Sequence, residues 1–173
     1  MSLRVESSGE KTHTLLPMPA QIPTIVATSI GIPQRPRLPV PYAETAIYRL
    51  ALELAEPRAT PRMCFLATAT GDAPESFLRA YTALAEMDVR LSHLALFPMP
   101  NFEDVRGHLL RKDVTWVGGG SVVNLLALWR AHALDRILHE CWQAGVVLGG
   151  SRPGRCAGTW AARPTPSAWS CGR

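Results

Sequence analysis

Apolar residues in this chain follow two rhythms. Short continuous runs cover residues 24–28, 63–67, 89–97, 114–117 and 146–150, bounded by glycine, proline or charged residues. Runs of that kind read as strands buried on both faces, as in a parallel sheet. Between them the spacing becomes helical. Ile47, Leu50, Ala51 and Leu54 share one face of a helix near residues 43–56, and Phe77, Tyr81 and Leu84 share a face of one opened by Pro74. A short helix is expected over residues 102–111, and an apolar helix, read as buried, runs from Ser121 through Trp129. The last helix begins near Asp135, carries Leu134, Ile137, Leu138, Cys141 and Trp142 on one stripe, and stops before Gly145. Strands separated by helices imply right-handed crossovers. The fold class is therefore α/β, a three-layer sandwich with a mostly parallel sheet.

Two segments fall outside this pattern. Residues 1–20 are polar and aperiodic, which predicts a disordered extension before a domain spanning 21–150. After Gly150 the chain reads SRPGRCAGTWAARPTPSAWSCGR, with four Arg, three Pro, two Trp, two Cys and no acidic residue. Neither helical nor strand periodicity is visible there.

Residues 113–150, DVTWVGGGSVVNLLALWRAHALDRILHECWQAGVVLGG, carry the most specific pattern: a Gly-Gly-Gly-Ser turn, a helix pair and a strand ending in Gly-Gly. Together with FLATA and LALF upstream, they resemble the dipeptidase E and cyanophycinase family of serine peptidases. The resemblance covers residues 22–150 and implies a class I glutamine amidotransferase-like (flavodoxin-like) topology, here incomplete at the C-terminus. In that family the strand is followed by an apolar residue and Ser-Ala-Gly. That serine is the nucleophile on a strand-to-helix elbow, with its histidine and acidic partners further downstream. This chain has Ser151-Arg152-Pro153 instead.

The genetic code accounts for the difference. If one base is lost just after the Gly150 codon, each in-frame codon joins the last base of one tail codon to the first two of the next. The codons of Arg152, Pro153 and Gly154 then admit Ser, Ala and Gly, and continuing to Ala168 admits SAGSLCWHVGGTTDSFG. That string, drawn from the few residues each position allows, looks like the family's elbow and the acidic segment beyond it. Residues 151–173 are accordingly read as an out-of-frame tail, and a truncated sheet with an unpaired apolar edge is expected to aggregate.

Serine catalysis needs an exposed hydroxyl beside a base, and N–H donors aimed at the developing oxyanion. The resemblance puts Arg152 at the nucleophile position and Ser151 one residue early, so Ser151 is not expected to act. Gly118, Gly119, Gly120 and Ser121 are the expected oxyanion and substrate loop. Without the resemblance they read equally as a tight turn, or as an anion site at a helix N-terminus in a noncatalytic binding module. His132 and His139 fall on helices, His108 in a charged, solvent-facing helix, and His13 in the extension; none inherits the family's histidine role. Glu103, Asp104, Asp113 and Asp135 read as caps or solvated charges.

Composition adds exclusions. The net charge of +4 resides in Arg152, Arg155, Arg163 and Arg173; the rest of the chain has 14 basic and 14 acidic residues, which speaks against a nucleic-acid partner. No apolar run approaches the roughly 20 residues that span a bilayer. The four cysteines lack metal-ligand spacing, so reduced thiols and a cytoplasmic location are expected, with no metal and no cofactor. The family implies a short, Asp-containing peptide as substrate, and a homo-oligomer is compatible with the sequence.

Overall fold

The computed structural model describes residues 22–28, 46–57 and 59–151, together with the backbone of a strand at 159–162. The expected disordered extension lies outside them, as does Arg152.

Five strands run parallel: β1 (Ile25–Thr28), β2 (Arg62–Leu66), β3 (Arg90–Leu94), β4 (Val114–Val117) and β5 (Val147–Ser151). Their spatial order is β3-β2-β4-β5-β1, with a sixth strand, β6 (Thr159–Ala162), antiparallel on the outer edge of β1. β6 falls within the tail, where no strand periodicity is visible in the sequence. An edge strand needs only backbone donors and acceptors on one side, and such pairing leaves no hydrophobic alternation to read.

Alternation along the strands divides the interior in two. Met63, Phe65, Val114, Trp116 and Val147 face one core with α1 (Ala46–Leu54) and α2 (Pro74–Leu84). Cys64, Leu66 and Leu148 face the other with α3 (Val105–Leu110) and α5 (Leu134–Gln143). Helices thus cover both faces, as right-handed crossovers require when successive connections travel in opposite directions along a sheet.

The helical stripes are rotated from their expected positions. On α1 the buried residues are Tyr48, Ala51 and Leu52, whereas Ile47 and Leu54 pack only at the margin. On α2 they are Ala80, Ala83 and Leu84, and Tyr81 is exposed. Small alanines mark the close approach to the sheet, and the larger residues lie at its rim. The stripe of α5 agrees with expectation: Leu134, Leu138, Cys141 and Trp142 are buried. β3 is shorter than its apolar run because the Asp72 carboxylate accepts the N–H groups of Leu96 (2.7 Å) and Phe97 (3.0 Å), displacing the ladder there.

The largest correction concerns α4 (Val122–Ala131). Sequence makes it a buried helix, yet none of its residues is fully buried, and Val123 is 78 % exposed. It sits on a 3-10 turn at Thr68–Thr70 and against α5, at the rim of the sheet. An apolar composition on all sides signals burial only if neighbours exist on all sides.

Candidate active site at the carboxyl ends of the strands

β2 and β4 are neighbours in the sheet, and the connections leaving them, to β3 and to β5, travel in opposite directions. This is the switch point of the sheet, where open α/β folds place their ligands. The residues after β2 and β4 meet there. The Gly118 N–H donates to the Leu66 carbonyl (2.8 Å) and the Ser121 N–H to the Ala69 carbonyl (2.7 Å). The 3-10 turn that supplies Ala69 ends on Gly71, at φ 69°, whose N–H donates to Thr68 (3.0 Å).

Gly120 is held at φ +154°, and a Cβ there would run into the backbone carbonyl of Ala69. Only glycine fits both constraints. Gly120→Ala is expected to destabilise the fold by about 1–3 kcal/mol, measurable by urea denaturation of the variant beside the parent chain.

Ser121 caps α4, its Oγ accepting the Asn124 N–H at 3.3 Å. Among the described residues, the N–H groups of Gly119 and Gly120 have no hydrogen-bond acceptor. They lie at the positive end of the α4 dipole, an arrangement suited to a carboxylate or oxyanion.

Ser151 is the last residue of β5 and pairs with Thr28. Val117 pairs with Gly150, so the register brings Gly118 alongside Ser151. Ser151 is therefore an extended, half-buried strand residue beside the glycine loop. A strained elbow that lifts a hydroxyl above the sheet is a different local geometry. Gly149 serves packing, because its missing side chain makes room for the ring of Trp116 on the neighbouring strand.

The remaining polar candidates lie elsewhere. Contrary to the solvent-facing expectation, His108 is half-buried. It stacks on Phe102 with centroids 3.6 Å apart, and its Nε2 lies 3.4 Å from Ser92 Oγ. His93 on β3 meets Tyr81 Oη through Nδ1 (3.2 Å) and packs against Phe77. Asp104 caps α3 as expected, accepting the Gly107 N–H at 2.7 Å. Asp113 is neither a cap nor solvated: it is buried, takes the Arg62 N–H at 2.7 Å and pairs with the Arg62 guanidinium at 3.5 Å. Sequence reasoning also missed Asp72. A polar residue two positions before a helical proline reads as a turn, and nothing local shows that its carboxylate reaches β3.

Burial holds the His108 imidazole at about 4, with Lys112 and Arg111 pushing the same way and Asp104 opposing. The unfolded chain, with histidine near 6.5, takes up the proton first. This contribution to stability is complete above pH ~6.5 and is lost as pH falls toward 4. Melting temperature is therefore expected to drop across that window, and to drop less in His108→Gln. Equal slopes for the two proteins would assign the acid sensitivity elsewhere. Burial also pushes the thiols up, Cys64 to about 11 and Cys141 to about 12, so neither is a ready nucleophile.

Among the described residues, no group of three or more His, Cys, Asp or Glu could hold a metal ion, and no helix is long and apolar enough to cross a membrane.

A parallel sheet covered on both faces, with a glycine turn at its switch point, has the fold of the peptidase E proteins. The chain superposes on a crystal structure described as a peptidase E protein from Listeria monocytogenes EGD-e with a TM-score of 0.55. The two are 17 % identical, and the match covers 75 % of this chain and 58 % of that one. The family model of peptidase family S51 matches residues 41–168, and the chain belongs to that family. YgaJ, an uncharacterized peptidase of Bacillus subtilis (strain 168), is 44 % identical over 97 residues, covering 56 % of this chain and 42 % of the relative. The chain thus spans less than half the length of the curated relative it matches.

Proposed function

We propose that this chain descends from a cytoplasmic serine peptidase of short, Asp-containing peptides, and that it is itself catalytically inactive. The observation that carries this reading is the course of the chain at the end of β5. Ser151 remains in the ladder with Thr28, and the next strand, β6, returns antiparallel on β1. Acyl transfer through serine would instead place a hydroxyl at the head of a helix, beside the Gly118–Ser121 loop. Both the Ser-Arg-Pro sequence and the admissible Ser-Ala-Gly in the neighbouring reading frame support a lost base after the Gly150 codon.

The loop supports the substrate half of this reading. Gly119 and Gly120 offer donors with no acceptor among the described residues, at the end of β4, where a peptide carbonyl or side-chain carboxylate would approach. The same donors support a second reading, a noncatalytic module that holds a small anion.

A fluorophosphonate probe separates the readings. The purified chain is expected to stay unlabelled, and labelling at Ser151 would overturn inactivity. Thermal stabilisation by small carboxylates without labelling would favour the binding module. Resequencing the gene across the Gly150 codon tests the lost base directly.

A further inference from the structure

We propose that the side chain of Asn101 stands in for a further strand and closes the outer edge of β3 against pairing with a second copy of this chain. This edge lies at the opposite end of the sheet from β1 and β6, within the unbroken run of described residues 59–151. Its closure is independent of the peptidase reading.

β3 is the last strand at its end of the sheet, and among the described residues only β2 pairs with it. The Arg90 N–H donates to the Pro61 carbonyl on the β2 side (2.8 Å). Backbone groups alternate in direction along a strand. Those of Ser92 and Leu94 therefore also point to β2, and those of Leu91, His93 and Ala95 point outward. An outward row of this kind is a template for another strand. The sequence raises the hazard. Residues 91–97 read LSHLALF, with no Asp, Glu, Lys, Arg or Pro, the composition of a segment that pairs with its own kind.

Asn101 fills the row from the side. Its Nδ2 donates to the His93 carbonyl at 3.2 Å, and its Oδ1 accepts the Ala95 N–H at 3.0 Å. In a parallel ladder one residue of a neighbouring strand makes those same two bonds, to the carbonyl before and the N–H after the residue it faces. A carboxamide carries the donor and acceptor of a peptide group, so Asn101 forms a one-residue bridge opposite Leu94. The Asn101 N–H adds a bond to the Ala95 carbonyl at 3.2 Å, and the Leu91 N–H is turned back to the Val89 carbonyl at 3.1 Å. The His93 N–H and the Leu91 carbonyl are left without a partner among the described residues. One donor and one acceptor are too few to hold a strand. Pro98 and Pro100, in the segment leading to Asn101, carry no N–H to offer in turn.

Without the carboxamide, the His93 carbonyl and the Ala95 N–H join the two groups already free, and the β3 of a second copy meets a continuous row. Exposed hydrogen bonds contribute modestly to stability. The main consequence of losing these two is therefore association, with the fold retained.

The test compares the full chain with Asn101→Ala. The probe is a fluorescent peptide of residues 89–95 carrying a short lysine tag for solubility. By fluorescence anisotropy it is expected to bind Asn101→Ala at least about tenfold more tightly than the parent chain. Asn101→Ala is also expected to sediment as a larger species at matched concentration, with a cooperative melt retained. Adding Ala95→Pro separates pairing from unfolding. In the Asn101→Ala background the Ala95 N–H has lost its acceptor, so proline removes no further bond and denies a donor to an incoming strand. Leu94, before it, is already extended, as the residue preceding proline prefers. The double variant should return peptide affinity and sedimentation to within about twofold of the parent. Three results would overturn the proposal: equal peptide affinity for the parent and Asn101→Ala, association that Ala95→Pro leaves unchanged, or loss of the cooperative melt in Asn101→Ala, which would make Asn101 a support of the fold and not a cover for its edge.

Discussion

Inserting one base immediately after the Gly150 codon is expected to turn an unreactive chain into one that a fluorophosphonate labels. The expected effect is large because nucleophile, base and acid act as a unit in serine catalysis; losing the nucleophile alone removes about 10⁶-fold in kcat. Arg152→Ser alone should restore none of it. The following Pro153 fixes its own φ and restricts the residue before it, so the small-residue turn of an elbow cannot form. The Gly118–Ser121 loop needs no repair, since Ser121 is already hydrogen-bonded to Ala69 and the register sets Gly118 alongside Ser151 at the end of β5. Labelling of the base-inserted protein, its loss on changing the restored serine to alanine, and no labelling of Arg152→Ser together check the reading. An unlabelled but folded base-inserted protein would refute it.

The parts of this fold legible in sequence are those where one local rule suffices. Continuous apolar runs mark β2, β4 and β5 within a residue, and a helical stripe ending at Gly145 marks α5. The parts that are not legible depend on partners far away in sequence. The rotation of α1 is set by how closely Ala51 approaches the sheet, and the end of β3 by a carboxylate 24 residues earlier. The exposure of α4 reflects what surrounds it, which its own sequence cannot express.

The site is legible in a similarly divided way. The Gly118–Ser121 turn follows from glycines placed between an apolar strand and a helix, and the structure shows why Gly120 must be glycine. The Gly149-Gly150 pair reads in sequence as one motif, yet its two members play different parts. Nothing in their spacing distinguishes a residue that clears space for an aromatic ring from one that does not.

That difference yields the largest stability effect expected in the chain. A Cβ at Gly149 would fall inside the contact radius of the Trp116 ring, whereas one at Gly150 would meet Val117 at an ordinary 3.7–3.8 Å. Trp116 cannot yield easily. It is 1 % exposed, its ring lies 4.5 Å from that of Tyr48, and the strand carrying it is paired on both sides. Gly149→Ala must therefore displace the ring or part β4 from β5. Overpacking of this kind costs about 1–3 kcal/mol, and losing the packing of a buried tryptophan as well moves the total toward ~3–5 kcal/mol. Against a typical total of about 5–15 kcal/mol, that is enough to unfold a marginal chain. Gly150→Ala should cost less than about 1 kcal/mol. The mechanism is isolated by placing Gly149→Ala in a Trp116→Leu background, where the smaller side chain vacates the space. The alanine should then cost much less, giving a coupling of about 2 kcal/mol between the two sites in urea denaturation. Equal costs at Gly149 and Gly150, or no coupling to Trp116, would show that the two glycines serve the end of β5 in some way other than this contact.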